Sequence, residues 1–333
     1  RRCNVKYEGY IHWSSAMRAT PLPDAAPRLT AALFHPRYWL QWLGQAVLWL
    51  IVLLPYPVLM QLGAALGWLS MQILPRRVTI ARKNLQLAFP EWDEATREQQ
   101  IRENFANVGR GIFETGIAWF WPDRRIKKIM QVVGAEHVEQ AVANGQGMLL
   151  LSAHFMTLEL NARMFGMLRP GVGVYRPNKN PVLEYAQYTG RCKSNKYLVN
   201  RLDVKGMIKA LRQGEALWYA PDHDYGHHAS VFVPFLGVSD AATITGTSTL
   251  ARVKNTVVLP CYNIRQPKGG YQLIIEAPLQ GYPTGDDIAD ATRSNQVLET
   301  AVRKAPAQYM WLHRRFKSRP DGTQFLYKPG EER

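Results

Sequence analysis

Residues 148–166 read MLLLSAHFMTLELNARMFG. Met148–Leu151 is a short unbroken apolar run, the texture of a strand covered on both faces. Met156–Leu168 then switches to helical spacing. A buried strand feeding a helix is half of a βαβ unit. His154 directly follows the strand, and Glu159 lies five residues further on.

The same alternation continues outward. Apolar runs at Val172–Tyr175, Ala216–Ala220, Thr256–Cys261 and Tyr271–Ile275 are separated by helical patterns at Asn180–Gly190, Asp203–Gln213 and Ala242–Lys254. A last helix is expected at Ile288–Lys304, and an earlier one at Trp92–Trp119, opened by Glu91, Asp93 and Glu94. This predicts an α/β fold with a mostly parallel central sheet flanked by helices. Functional residues in such sheets gather at the carboxyl ends of the strands.

His154 is at such an end. In a continuous helix, residues five apart diverge by about 140° around the axis. His154 and Glu159 therefore converge only if the histidine lies in the turn and the glutamate in the first helical turn. A carboxylate that fixes an imidazole makes it a general base for a hydroxyl, as in a triad whose serine is replaced by a substrate alcohol. The bland alternative is a structural histidine near an unrelated surface glutamate.

Composition narrows the partners. The chain has 333 residues, 47% of them hydrophobic and 20% charged. That balance excludes a disordered polymer. Cys3, Cys192 and Cys261 are too few and too scattered for a disulfide scaffold or a zinc module. The formal charge of +15 leaves nucleic acid, an anionic membrane, or an acidic or phosphorylated partner. The whole stretch Tyr38–Pro75 holds no charge and no histidine. Pro55 and Pro57 divide it. The first half, rich in tryptophan, reads as a membrane anchor. The second reads as an interfacial or packing helix, with a small-xxx-small face at Gly63 and Gly67. Arg76, Arg77, Arg82 and Lys83 follow the stretch, against Arg18, Arg28 and Arg37 before it. The bulk of the chain is therefore expected on the cytoplasmic side. Residues 1–30 read as an extension, with Met17 a plausible start.

Other segments carry chemistry. Arg176, in the run Tyr175-Arg176-Pro177-Asn178, follows a strand. It suits a phosphate or a developing oxyanion; a loop-capping surface arginine is the alternative. Arg191, Lys193, Lys196, Arg201, Lys205, Lys209 and Arg212 form a basic band with Ser194 and Asn195 inside it, either a docking surface for anions or an acidic protein, or a solvated face. No nucleic-acid motif accompanies it. Pro221–His228 is dense in possible metal ligands, which would need fixed geometry and supporting partners to form a metal site. Val231–Gly237 is an apolar run that suits either a tunnel lining or core. Tyr309–Arg319 mixes rings with cations, Arg314 and Arg315 among them. That mixture fits a lipid headgroup interface or a packed segment with solvated cations.

These residues together resemble the late acyltransferases of lipid A biosynthesis, the lauroyltransferase type. The H-x4-D/E block matches His154–Glu159. HPRYWLQWLG, ETGIAWFWPDRR, GVGVYRPNKNP, RCKSN, WYAPDHDYG and YMWLHRRFKSRP match too, so the resemblance runs from about Leu33 to Tyr327. It implies a glycerolipid-acyltransferase-like fold and transfer of an acyl chain, lauroyl foremost, from acyl carrier protein to a hydroxyacyl hydroxyl of Kdo2-lipid IVA. A glycerolipid or other glycolipid acceptor is the alternative. It implies no metal and no organic cofactor, only the donor's phosphopantetheine. Catalysis would rest on His154 and Glu159, and substrate binding on Arg176, Asn178, Arg191, Ser194, Asn195, Lys196, Asp222, Asp224, Arg314 and Arg315. Asp222 and Asp224 match the family's D-x-D-Y/H-G block, which implies carboxylates that bind the sugar acceptor or brace His154 rather than a metal. The expected organisation is an extension at 1–30, a single-pass anchor at 31–57 in the bacterial inner membrane, and a cytoplasmic acyltransferase domain at 58–333.

Overall fold

The computed structural model describes residues 26–322 and Tyr327. Met17, Cys3 and most of the expected extension lie outside the described residues. Four helices come first: α1 (Trp39–Ile51), α2 (Tyr56–Ile73), α3 (Pro75–Ala88) and α4 (Glu94–Phe120). The Asp93 carboxylate caps α4 by accepting from Thr96 N at 2.7 Å. That bond satisfies an amide the first turn leaves open.

The expected single spanning helix is not seen among the described residues. Helix α1 has 13 residues. At about 1.5 Å per residue it reaches about 20 Å, well short of a bilayer's apolar core of about 30 Å. No single helix among the described residues is long and apolar enough to cross a membrane; α2 and α3 pass that test only together, bent by 100°. Trp39, Leu40, Leu43, Trp68, Leu69 and Ile73 nevertheless stand exposed on α1 and α2.

The small face of α2 is used for packing. A Cβ on Gly109 of α4 would sit 2.0 Å from Gly63 O, and one on Gly67 would sit 2.0 Å from Phe105 O. Only glycine lets the two backbones meet. Gly109→Val should cost about 3 kcal/mol, since backbone cannot yield as a side chain does. A lowered urea midpoint measures it; an unchanged midpoint refutes the contact.

The remainder is built on α5 (Asp123–Lys127), β1 (Met130–Val133), α6 (Ala135–Ala143), β2 (Gly147–Leu151), α7 (Leu158–Leu168), β3 (Gly171–Tyr175), α8 (Pro181–Arg191), β4 (Asn195–Asn200), α9 (Val204–Arg212), β5 (Ala216–Tyr219), β6 (Ser230–Phe235), β7 (Val238–Ile244), α10 (Gly246–Ala251), β8 (Thr256–Arg265), β9 (Tyr271–Ile275) and α11 (Asp287–Lys304). Seven strands form one sheet in the order β1-β9-β8-β2-β5-β3-β4. Five run parallel; β9 is antiparallel to β8, and β1 is parallel to β9. The fold class is as expected. Four strands were not: β1, the edge strand β4 inside the basic band, and the antiparallel pair β6 and β7, of which β7 takes the first part of the helix expected at Ala242–Lys254 and leaves α10 short.

β2 lies at the centre, and all five of its residues are buried. Leu149 and Leu151 point into one core with Met207 and Leu211 of α9 and Leu298 of α11. Met148 and Leu150 point into the other, with Val52, Leu59, Ile117 and Leu160. Helix α1 and the first half of α2 therefore belong to one side of the sheet and α9 to the other, with Met71 near the end of α2 reaching the α9 core. A buried ion pair between Arg265 and Glu114, at 2.5 Å, ties the end of β8 to α4.

Candidate active site

β2 and β5 are parallel neighbours. Such strands lie about 4.8 Å apart, so the loops that follow them run side by side. Ser152 N extends the pairing by donating to Tyr219 O at 2.9 Å. Two residues later His154 meets Asp222, which is distant in sequence. The Asp222 carboxylate accepts from His154 N at 2.8 Å and faces His154 Nδ1 at 2.6 Å. Tyr309 OH donates to the same carboxylate at 2.8 Å. An ionised carboxylate only accepts, so this contact places the imidazole proton on Nδ1 and leaves the lone pair on Nε2. Nε2 bonds to none of the described residues, and the His154 side chain is 23% exposed. Burial on its own would raise Asp222; the facing His154 and its hydrogen bonds outweigh burial and hold the carboxyl far below its usual range.

Two more histidines complete the cluster. The His223 ring stacks on His154 at 3.6 Å and 15°, and His313 lies 4.4 Å beyond His223. Burial first, then the neighbouring His154, pushes His223 down to about 3. Burial and His154 also lower His313. Both neighbours are thus neutral near pH 7 and brace His154 without competing for its proton. The sign for stability follows. The unfolded chain protonates residue 223 near its ordinary 6.5, whereas the folded protein resists until about 3. Stability therefore falls as pH drops between those values, by up to about 1.4 kcal/mol per unit from this group. His223→Phe should flatten that slope in urea midpoints taken across the range; an unaltered slope refutes the assignment.

Glu159 does not orient His154. It sits in the first turn of α7, turned toward α4 and α8. There it accepts from Arg191 Nε at 2.9 Å, from Arg191 Nη2 at 2.5 Å and from Trp119 Nε1 at 3.0 Å. The turn and first-helical-turn placement is as convergence requires, but the Glu159 carboxylate is held by Arg191 and Trp119 instead. The carboxylate that orients His154 is Asp222, expected as an acceptor-binding or bracing residue; it braces.

A sequence model of the bacterial lipid A biosynthesis acyltransferases matches residues 27–318. The chain belongs to this family. It is 52% identical to the lipid A biosynthesis lauroyltransferase of Escherichia coli K12, over 90% of this chain and 99% of that one. The palmitoleoyltransferase of that organism is 43% identical, over 90% and 98% of the two chains. Its myristoyltransferase is 30% identical, over 91% and 94%.

The other expected residues of this acyltransferase divide by place. Arg176 is exposed just past β3 at the edge that carries His154, with no ion-pair partner among the described residues. Asn178 is exposed there too, and its side chain accepts from Asn180 N at 2.9 Å. Ser194, Asn195 and Lys196 lie at the start of β4, the opposite edge of the sheet. Ser194 Oγ and Asn195 Nδ2 donate to Arg191 O, and Lys196 pairs with Glu215 at 2.6 Å. All three are structural in this arrangement. Asp224 accepts from Gly226 N at 2.8 Å and from Ser318 N at 2.7 Å, which pins the C-terminal segment.

That segment corrects the headgroup-interface reading. Tyr309, Trp311 and Phe316 are buried, and Arg315 is 2% exposed. Arg315 Nη1 donates to Ala242 O at 2.9 Å, and the guanidinium lies 4.6 Å from the Phe235 ring. Its Nε and Nη2 have no hydrogen-bond partner among the described residues, yet it lies close enough to Tyr309 and His223 to act on both. It is a buried cation beside Tyr309, whose hydroxyl also meets Asp222. Arg314 alone of the pair faces solvent. Asn84 and Asn104 hold the segment's carbonyls, Asn84 Nδ2 on Trp311 O and His313 O at 2.6 Å, Asn104 Nδ2 on Tyr309 O at 2.7 Å. In the Val231–Gly237 run, Phe235 packs into the core rather than lining a tunnel. Among the described residues, no group of three His, Cys, Asp or Glu side chains is arranged to hold a metal ion.

Sequence reasoning missed Tyr309, His223, His313 and Trp119 as parts of the site. The available sign was position. The Pro221–His228 run follows a predicted strand just as His154 does, so both fall on one edge of the sheet.

Proposed function

We propose that this acyltransferase moves a fatty acyl chain, lauroyl foremost, from an acyl carrier protein thioester to a 3-hydroxyacyl hydroxyl of a Kdo2-lipid IVA-type acceptor. The observation that carries this is the Asp222–His154 pair, whose imidazole keeps an unoccupied Nε2 at the carboxyl edge of the sheet. The names and identities of the relatives support the acceptor class and favour a lauroyl group.

In this mechanism Nε2 takes the proton of the acceptor hydroxyl as its oxygen attacks the thioester carbonyl. Asp222 stabilises the imidazolium that forms. The tetrahedral intermediate collapses, the carbon–sulfur bond breaks, and the departing phosphopantetheine thiolate takes the proton back from Nε2. The products are an ester and a free thiol, and no metal or cofactor enters. Arg176 is placed to receive an anionic group of the acceptor or the developing oxyanion.

The acceptor is a lipid, and exposed apolar side chains on α1 and α2 supply a surface for a bilayer. The chain would sit at the bacterial inner membrane with its sheet on the cytoplasmic side, as the Arg76 and Arg77 flank favours. Mass spectrometry of the product formed from Kdo2-lipid IVA and lauroyl carrier protein tests the function. A single added lauroyl ester is expected. Transfer to a glycerolipid instead would overturn the acceptor, and transfer to neither would overturn the function.

A further inference from the structure

We propose that the outer face of α9, with the turn before it, is the landing surface for the acidic protein that carries the acyl group. The proposal rests on the carrier-dependent reading above and locates its donor.

The structure splits the basic band. Arg191 is taken by Glu159 and Lys196 by Glu215. Arg201, Lys205, Lys209 and Arg212 are exposed and have no carboxylate partner among the described residues. Lys205, Lys209 and Arg212 recur at i, i+4 and i+7, so they share one helix face. With Ile208 they line a shallow depression of about 310 Å³. Leu202 is 80% exposed beside them, and Val204 stands open as well. Asp203, the one acid in the turn, caps α9 through Gly206 N at 2.8 Å. Cations around two bare aliphatic side chains complement an acidic helix that presents apolar residues.

Two placements choose a soluble protein over a membrane. First, α9 packs on the side of the sheet away from the core that holds α1 and the first half of α2, whose exposed apolar side chains lie on the other side. Second, the patch opens onto the site. Arg201 N donates to Tyr175 O at 2.8 Å at the catalytic edge. Its guanidinium lies 5.9 Å from the Tyr225 ring, Tyr225 lies 6.5 Å from His223, and His223 stacks on His154. A phosphopantetheine arm rooted beside Arg201 spans that row of rings and delivers a thioester to Nε2, while the arm's phosphate stays among the cations.

The test uses the full chain and the charge reversal Lys205→Glu, Lys209→Glu, Arg212→Glu, with Lys209→Ala as a milder variant. Binding of lauroyl carrier protein, read by fluorescence polarisation, should weaken at least ten-fold in the triple variant and measurably in Lys209→Ala. The wild-type affinity should fall with added salt, and the variant's should not. Turnover of lauroyl-pantetheine, which has no carrier, the melting temperature, and binding to phosphatidylglycerol vesicles should all be unchanged. Unchanged carrier binding, equal loss with both donors, or lost vesicle binding would overturn the proposal. A wild-type protein that transfers from neither donor would instead overturn the functional reading beneath it.

Discussion

His154→Ala is expected to reduce acyl transfer by about 10³–10⁴-fold with the fold intact. General-base catalysis at a hydroxyl contributes on that scale, equivalent to about 4–5 kcal/mol of barrier. No neighbour can take over. His223 is buried against the His154 face and pushed down to about 3, so it is a poor base. Alanine also removes the ring on which His223 packs and the Nδ1 contact to Asp222, which keeps two other donors, His154 N and Tyr309 OH. The melting temperature should therefore move little while kcat collapses. Activity retained within ten-fold would remove His154 from the mechanism.

Asp222→Asn should cost about 10³-fold or more in kcat, and its cause is distinct. Three donors converge on this carboxylate: His154 N, the Nδ1 proton of His154 and Tyr309 OH. An amide offers one acceptor oxygen and an NH2 group, so one donor must face another. Relief comes by turning the imidazole to its other tautomer, which puts the proton on Nε2 and ends its use as a base. The pH–rate profile should change shape. Glu159→Ala gives the contrast. It leaves Arg191 without its carboxylate and Trp119 without an acceptor, so it lowers the melting temperature. Folded Glu159→Ala protein should keep the wild-type pH dependence, because no bond joins residue 159 to the base. If Glu159→Ala alters the profile and Asp222→Asn does not, the assignment of the orienting carboxylate is wrong.

The sheet was legible where its strands are buried on both faces, since Met148–Leu151 and Val172–Tyr175 have no polar side to disguise them. β4 was not, because an edge strand is half covered and can carry Asn195, Lys196 and Asn200 at no great cost. His154 was legible from its place after a buried strand. Its partner was not. Spacing along the chain points to Glu159, but partnership here is set by strand order, and nothing in the local sequence says that β5 lies beside β2. Composition misled at the C-terminus for a related reason. Rings and cations suit a lipid headgroup layer and equally suit a strap whose carbonyls are held by Asn84 and Asn104 and whose arginine is sealed inside.

That strap sets a schedule for the protein's birth. Phe155 pairs with Tyr309, and Met310 N donates to His154 O at 2.9 Å, so the final stretch of the chain clasps the loop that bears the base. During synthesis every strand of the sheet leaves the ribosome before Tyr309 does. Asp222 therefore lacks its tyrosine donor until the chain beyond the sheet has been made. The loop that bears the base is therefore clasped only once the segment around Tyr309 is in place.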